Sequence, residues 1–145
     1  MSNADRRAGF TLVELAAVML IIALIAALAV AFTRGSGRSE LKAVTLEAAA
    51  LLRRERIAAL LTGRERAVSL DGVSRTLMGD GGGVVAIPHD ITLDVLSAKE
   101  EAPRLTVVRF RPDGASTGAA LRFSREKVGY EIRVNWYTGG VAIVE

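Results

Sequence analysis

Residues 9–30 read GFTLVELAAVMLIIALIAALAV, an apolar run with a single carboxylate, Glu14, near its start. From Leu15 to Phe32 eighteen residues pass without a charge. As an α-helix, rising about 1.5 Å per residue, Phe10 to Phe32 spans roughly 34 Å. That matches a bilayer hydrocarbon core of about 30 Å, so the segment reads first as a transmembrane helix. A buried core helix is the bland alternative, but buried helices of this length rarely lack all polar residues. A secretory signal is another alternative. Arg6 and Arg7 would be its basic start, and Ala27-Leu28-Ala29 or Ala29-Val30-Ala31 its cleavage site. The run exceeds an h-region of about 7–15 residues, however, and Glu14 suits one poorly. The arginine pair also lacks the hydrophobic residues expected after a twin-arginine signal.

A third reading accounts for Glu14. Cleavage between Gly9 and Phe10 would give Phe10 a free α-amino group. Residues 10 and 14 lie four apart and share one helix face. A carboxylate inside a membrane is costly, and a cationic amine offsets the cost. If that amine belongs to a neighbouring subunit, the pair fixes the axial register between helices. Glu14 is then an assembly residue, not a catalytic one.

Beyond the run, Gly35-Ser36-Gly37 reads in two ways. It is a true break, with Ser36 or Ser39 capping a second helix, or a weak point in one long helix. Each glycine costs a helix interior about 1 kcal/mol relative to Ala. Arg38 to Leu61 is strongly helical in composition. Leu41, Val44, Ala48, Leu51, Leu52 and Ala59 form an apolar stripe at three- and four-residue spacing. Arg53-Arg54-Glu55-Arg56 interrupts the stripe with charge, and Gly63 fits a C-cap. If the two helices were continuous, Phe10 to Leu61 would run roughly 78 Å.

After Gly63 the period changes to two. Ile91, Leu93 and Val95 alternate with polar residues, as do Val108 and Phe110, Leu121 and Phe123, and Tyr130, Ile132, Val134 and Trp136. Each reads as a half-buried strand, and Val141 to Val144 as a short final one. Pro112-Asp113-Gly114 and Thr138-Gly139-Gly140 read as turns. Strands that follow one another without helices between them make antiparallel sheets, whose inward faces the helical stripe covers. The fold class is therefore α+β.

Composition excludes several function classes. The chain has 145 residues, 50% apolar, and its 19 Lys and Arg against 16 Asp and Glu leave a mild +3. No cysteine is present, so disulfides, thiolate metal sites and Cys nucleophiles are excluded. The single histidine, His89, lies beside Asp90 in a Pro-containing loop without a nucleophile elbow. Asp80, Asp90, Asp94 and Asp113 follow no calcium-loop spacing. Gly79-Asp80-Gly81-Gly82-Gly83 lacks the Gly-Lys-Ser/Thr ending of a phosphate loop and reads as a flexible loop. No catalytic residue, metal or cofactor is expected. Two arginine sets remain, Arg53, Arg54, Arg56, Arg64 and Arg66, and Arg104, Arg109, Arg111, Arg122, Arg125 and Arg133. They form a solvated polar face or, if they converge, a DNA-phosphate surface. Interspersed Glu and the mild net charge favour the former.

RRAGFTLVELAAVMLIIALIAALAV resembles the class III signal of type IV pilins and type II secretion pseudopilins. The resemblance implies a leader, residues 1–9, cut after Gly9 by a prepilin peptidase, with N-methylation of Phe10. Glu14 then matches the Glu at the fifth mature position. Many members carry a helix-disrupting Pro where this chain has Ala31. The segment RFRPDGASTGAALRF, through Phe110, Pro112, Asp113, Gly114, Ser116, Thr117 and Gly118, resembles the C-terminal signature of the H-type minor pseudopilins (GspH, with the related FimT and FimU minor pilins). YEIRVNWYTGGVAIV fits the last two strands of that family. The resemblance implies a pilin-like fold with a β-sandwich-like pair of sheets against the helix. It divides the chain into a transmembrane helix at 10–33, an amphipathic helix at 34–62 and a periplasmic β domain at 63–145. It also implies a single-pass inner-membrane protein, N-terminus cytoplasmic, that leaves the membrane for a pseudopilus. Charge alone does not set this orientation, because Arg34, Arg38 and Lys42 follow the span. The implied partners are the peptidase, other minor and major pseudopilins and the inner membrane. The implied role is that of a minor pseudopilin near the tip of the pseudopilus that drives export across the outer membrane. The alternative is a FimT/FimU-type minor pilin that binds DNA for natural transformation.

Overall fold

The structure, a computed structural model, describes residues 11–34, 36–96, 99–101 and 104–144. Two helices come first: α1, Leu12–Arg34, and α2, Ser36–Thr62. Nine strands follow: β1 Arg66–Asp71, β2 Thr76–Gly79, β3 Val84–Ala86, β4 Thr92–Leu96, β5 Lys99–Glu101, β6 Arg104–Phe110, β7 Ala119–Arg125, β8 Val128–Val134 and β9 Val141–Val144. The chain divides into two compact units, residues 1–36 and 37–145. Gly35, half of the glycine question, lies outside the described residues. Gly37 is helical, within α2.

In the first unit, α1 is apolar along its length, and none of the window Leu12–Val30 is buried within the chain. By length and composition it is able to cross a bilayer.

In the second unit, α2 carries the core on one face. The whole expected stripe from Leu41 to Ala59 is buried, and Ala49 and Thr45 join it. Thr45 is tolerated there because its Oγ1 donates to the Leu41 carbonyl at 2.8 Å. The helix ends where Gly63, at φ 64°, donates its N–H to the Ala59 carbonyl at 3.0 Å.

All strand pairings are antiparallel. One sheet has the order β3-β2-β1-β6-β5 and the other β4-β7-β8-β9. A single hydrophobic core joins α2 to both sheets, with Phe110 and Phe123 the largest fully buried side chains. Strict alternation fails in β6, where Val107 and Val108 are both buried. The cause is a register shift opposite Val68 and Ser69, a bulge that inserts one residue.

Two expectations need correction. Strand β8 stops at Val134, and Trp136 lies beyond it, 68% exposed. Asn135 causes this, because its side-chain oxygen accepts the N–H groups of Tyr137 and Thr138 and turns the chain. The glycine-rich stretch is also no free loop. It closes the β2–β3 hairpin, with Gly79 N–H on the Gly83 carbonyl at 2.9 Å, and it rests on α2.

Candidate processing and assembly site

Gly9 and Phe10, the expected cleavage and methylation residues, lie outside the described residues. The structure begins at Thr11, which caps α1. Thr11 Oγ1 accepts the Glu14 N–H at 3.2 Å, and the Thr11 carbonyl accepts from Glu14 and Leu15 at 3.0 and 3.1 Å. Thr11-Leu12-Val13-Glu14 thus has the spacing of a capping box, Ser or Thr followed three residues later by Glu. Glu14 sits in the first turn, where the positive end of the helix dipole favours a carboxylate. The spacing is visible in the sequence. The cap accounts for a Glu near the helix start. It leaves the carboxylate exposed on an apolar helix, with no hydrogen bond or ion pair among the described residues, so the assembly reading of Glu14 stands beside it.

The C-terminal signature is a piece of scaffolding. Phe110 is fully buried at the end of β6. Immediately after it the chain turns: Gly114 N–H donates to the Arg111 carbonyl at 3.0 Å and Arg111 N–H to the Ala115 carbonyl at 2.8 Å. Pro112 stands second in this turn, where its fixed φ is already suitable. Asp113 Oδ1 accepts the Ala115 N–H at 2.9 Å. Gly114 has φ 90°, a conformation that side chains with a Cβ rarely adopt. Ser116 is 5% exposed; its Oγ donates to the Asn135 carbonyl at 2.9 Å and accepts the Gly118 N–H at 3.0 Å. Ser116 N–H donates to the Trp136 carbonyl at 2.8 Å. Thr117 closes back on Arg109 through both N–H and Oγ1. A Cβ on Gly118 would stand 3.2 Å from Trp136 Cβ.

These seven residues therefore bind the end of β6 to the turn between β8 and β9. Helix α2 completes the join: Arg56 Nε donates to the Thr138 carbonyl at 3.0 Å. The turn presents Trp136 and Tyr137 to solvent as an edge-to-face pair with centroids 5.7 Å apart. Sequence periodicity missed this pair, because Trp136 continued the strand pattern. The available signal was Asn135 before a Thr-Gly-Gly turn.

The arginines are mostly engaged with their own chain. From α2, Arg53 reaches the Val141 carbonyl at 3.2 Å and Arg54 the Gly81 carbonyl at 2.9 Å. Arg75 binds the carbonyls of Ile87, Pro88 and Ile91. Arg125 pairs with Glu40 at 2.9 Å and with Asp90, and it also reaches the Gly37 carbonyl. Arg109 pairs with Glu65 and Arg133 with Glu131. A planar fork with five donors suits this stapling of loops to helix and sheet. Asp90 is thereby occupied, and His89 beside it is exposed in a turn.

Residues 5–30 match the prokaryotic N-terminal methylation motif, which implies processing by a prepilin peptidase. The chain is 29% identical over 136 residues to the Type II secretion system protein H of Xanthomonas campestris pv. campestris, covering 92% of this chain and 80% of that one. The type IV minor pilin FimU of Pseudomonas aeruginosa has the same fold, with a TM-score of 0.55, 16% identity and coverage of 74% of this chain and 90% of that one. The minor pseudopilin EpsH of the Vibrio cholerae Type 2 Secretion System aligns with a TM-score of 0.49 and 16% identity, over 75% and 93% of the two chains. The apolar helix and the motif together fit membrane anchoring. The methylation motif, the likeness to a protein H along most of the chain and the fold shared with FimU together support a pilin-like protein of the GspH type.

Proposed function

We propose that this chain is a minor pseudopilin of a type II secretion system, an assembly protein with no catalytic role. It inserts into the inner membrane with its N-terminus cytoplasmic and residues 63–145 periplasmic. Cleavage after Gly9 and methylation of Phe10 free the helix for assembly, and Glu14 sets its register against neighbouring subunits. The subunit then joins other minor and major pseudopilins near the tip of the pseudopilus. The observation that carries this reading is the likeness to a secretion protein H over 136 residues, reaching across 92% of the chain. The signature is in keeping with it, since its turn joins the end of β6 to the β8–β9 turn, where Trp136 and Tyr137 are presented to solvent.

Mass spectrometry of the protein from membranes tests the reading. We expect a mature N-terminus of methylated Phe10. An intact Met1, or cleavage beside Ala29 or Ala31, would sink it. The fold is shared with FimU, a minor pilin, so DNA retention separates this reading from the transformation one. We expect no retention even at low salt, where phosphate contacts are strongest.

A further inference from the structure

Sheet edges carry unpaired backbone groups, and proteins guard them with charge, proline, short length or cover. The four edges here are guarded unequally. Strand β4 has Asp94 at its centre, and β5 reads Lys-Glu-Glu. Strand β3 is three residues long, starts against Leu51 of α2 at Gly83 and runs into Pro88. Strand β9, Val-Ala-Ile-Val, has no charge, no proline and no glycine.

The register shows which groups of β9 face outward. Asn135 N–H donates to the Gly140 carbonyl at 2.9 Å, which makes residues 135 and 140 a hydrogen-bonded pair. In the same register, Ala142 opposite Arg133 and Val144 opposite Glu131 are bonded pairs, because the two pair types alternate. Val141 and Ile143 therefore turn their N–H and C=O groups away from β8. Arg53 independently marks this outer side, since its Nη2 reaches the Val141 carbonyl from α2. Among the described residues no such partner meets the Ile143 N–H or carbonyl.

A groove runs beside this edge. Lys42, Thr45 and Leu46 of α2, with Tyr130 and Ile143, line a cavity of about 300 Å³. Leu46 is 48% exposed there. An extended main chain laid along β9 would satisfy the Ile143 groups and send alternate side chains into this groove, the pattern of strand addition. Lys42 and Arg53 place positive charge at the edge, which suits an incoming segment flanked by acidic residues.

We propose that the outer edge of β9 receives an extended, apolar-alternating segment of another pilin-like subunit as an added strand. Arg53 occupies the Val141 carbonyl until that segment arrives. The proposal rests on the filament-subunit reading above.

Its test uses the full chain in cells that hold the other filament subunits. A photo-crosslinking residue replaces Val144, whose exposed side chain leaves the edge intact, or Asp94 on the β4 edge as comparison. We expect Val144 to link another pilin-like subunit at positions two residues apart along its chain. Adducts from the β4 edge should be about tenfold weaker, the scale of one backbone hydrogen bond left unmade. Ile143→Pro removes the outward donor but no bond to β8, and the Val144 adduct should fall by a similar factor. Amide exchange of Ile143 in the unsubstituted protein gives a second measure: it should slow about tenfold on assembly, while Ala142, already bonded to β8, changes little. Fast Ile143 exchange in assembled filaments, Val144 adducts undiminished in folded Ile143→Pro, or adducts only to a second copy of this chain would each overturn the proposal. A chain that never enters filaments would instead overturn the filament-subunit reading.

Discussion

Helices α1 and α2 have similar lengths, 23 and 27 residues, and each holds one informative glutamate in opposite surroundings. Glu14 lies in an apolar helix yet is exposed. Glu55 lies among Arg53, Arg54 and Arg56 yet is fully buried. Local composition gives the wrong answer for both, because burial depends on which face of a helix meets the rest of the chain. Glu55 is on the packed face, and its partner is internal. Both its carboxylate oxygens accept the Gly81 N–H, at 3.2 and 3.1 Å. Gly79 and Gly81 leave the room: a Cβ on either would stand 2.6 or 2.7 Å from Glu55 Oε1. Arg54 adds a bond to the Gly81 carbonyl from the next position. Glu14 has no such shelter among the described residues.

The largest expected effect comes from breaking the internal case. Glu55→Ala removes the acceptor of the Gly81 N–H and leaves a cavity in place of the buried side chain, and it should cost about 3 kcal/mol. Gly79→Ala forces a methyl group against Glu55 and should cost about 2 kcal/mol. Glu55→Gln keeps the shape and one acceptor oxygen, so about 1 kcal/mol is expected. Thermal unfolding of the full chain in detergent measures all three. Equal losses for the Ala and Gln variants would mean that charge, not shape and filling, holds the hairpin to α2.

The same comparison explains what was legible in the sequence. Periodicity located the α2 stripe, β7, most of β8 and β9, because each has a regular apolar face. It also found β4, through Ile91, Leu93 and Val95, and the end of β6, through Val108 and Phe110, but it missed β1, the short β2, β3 and β5, and the bulge in β6 opposite Val68 and Ser69. Glu55 and the glycines at 79, 81 and 83 could not be linked, because helix and hairpin are 24 or more residues apart and the bond is tertiary. Trp136 followed the strand period, and Asn135 overrode it. At the processing site the opposite holds. Under the proposed processing, Gly9, Phe10 and Glu14 are legible from the local chain, since a peptidase would read that chain and no fold is needed to bring them together.

An intermediate effect is expected at the start of α2. Arg125, with its side chain 27% exposed, holds Glu40, Asp90 and the Gly37 carbonyl together. Arg125→Ala should cost about 1 kcal/mol, because its partners are half in solvent and water competes for them. Salt screens such pairs. The gap in unfolding midpoint between this variant and the parent should therefore narrow in high salt, whereas the gap for Gly79→Ala should not. A gap that salt leaves unchanged would assign the loss to the arginine's packing rather than to its charge.

The smallest effect on folding belongs to Glu14, and the contrast with Glu55 is sharpest there. Glu14→Gln should leave the unfolding midpoint of residues 37–145 within about 0.5 kcal/mol of the parent, since a surface substitution away from the core changes little. The Thr11 cap is also retained, because it uses the Glu14 N–H and not its side chain. Cleavage after Gly9 should proceed. Incorporation into filaments, measured as the fraction sedimenting with sheared pseudopili, should nevertheless fall several-fold, because the only charge lost is the one to which the proposal assigns the register between subunits. Normal incorporation of Glu14→Gln would refute the register role and leave Glu14 as the end of a helix cap.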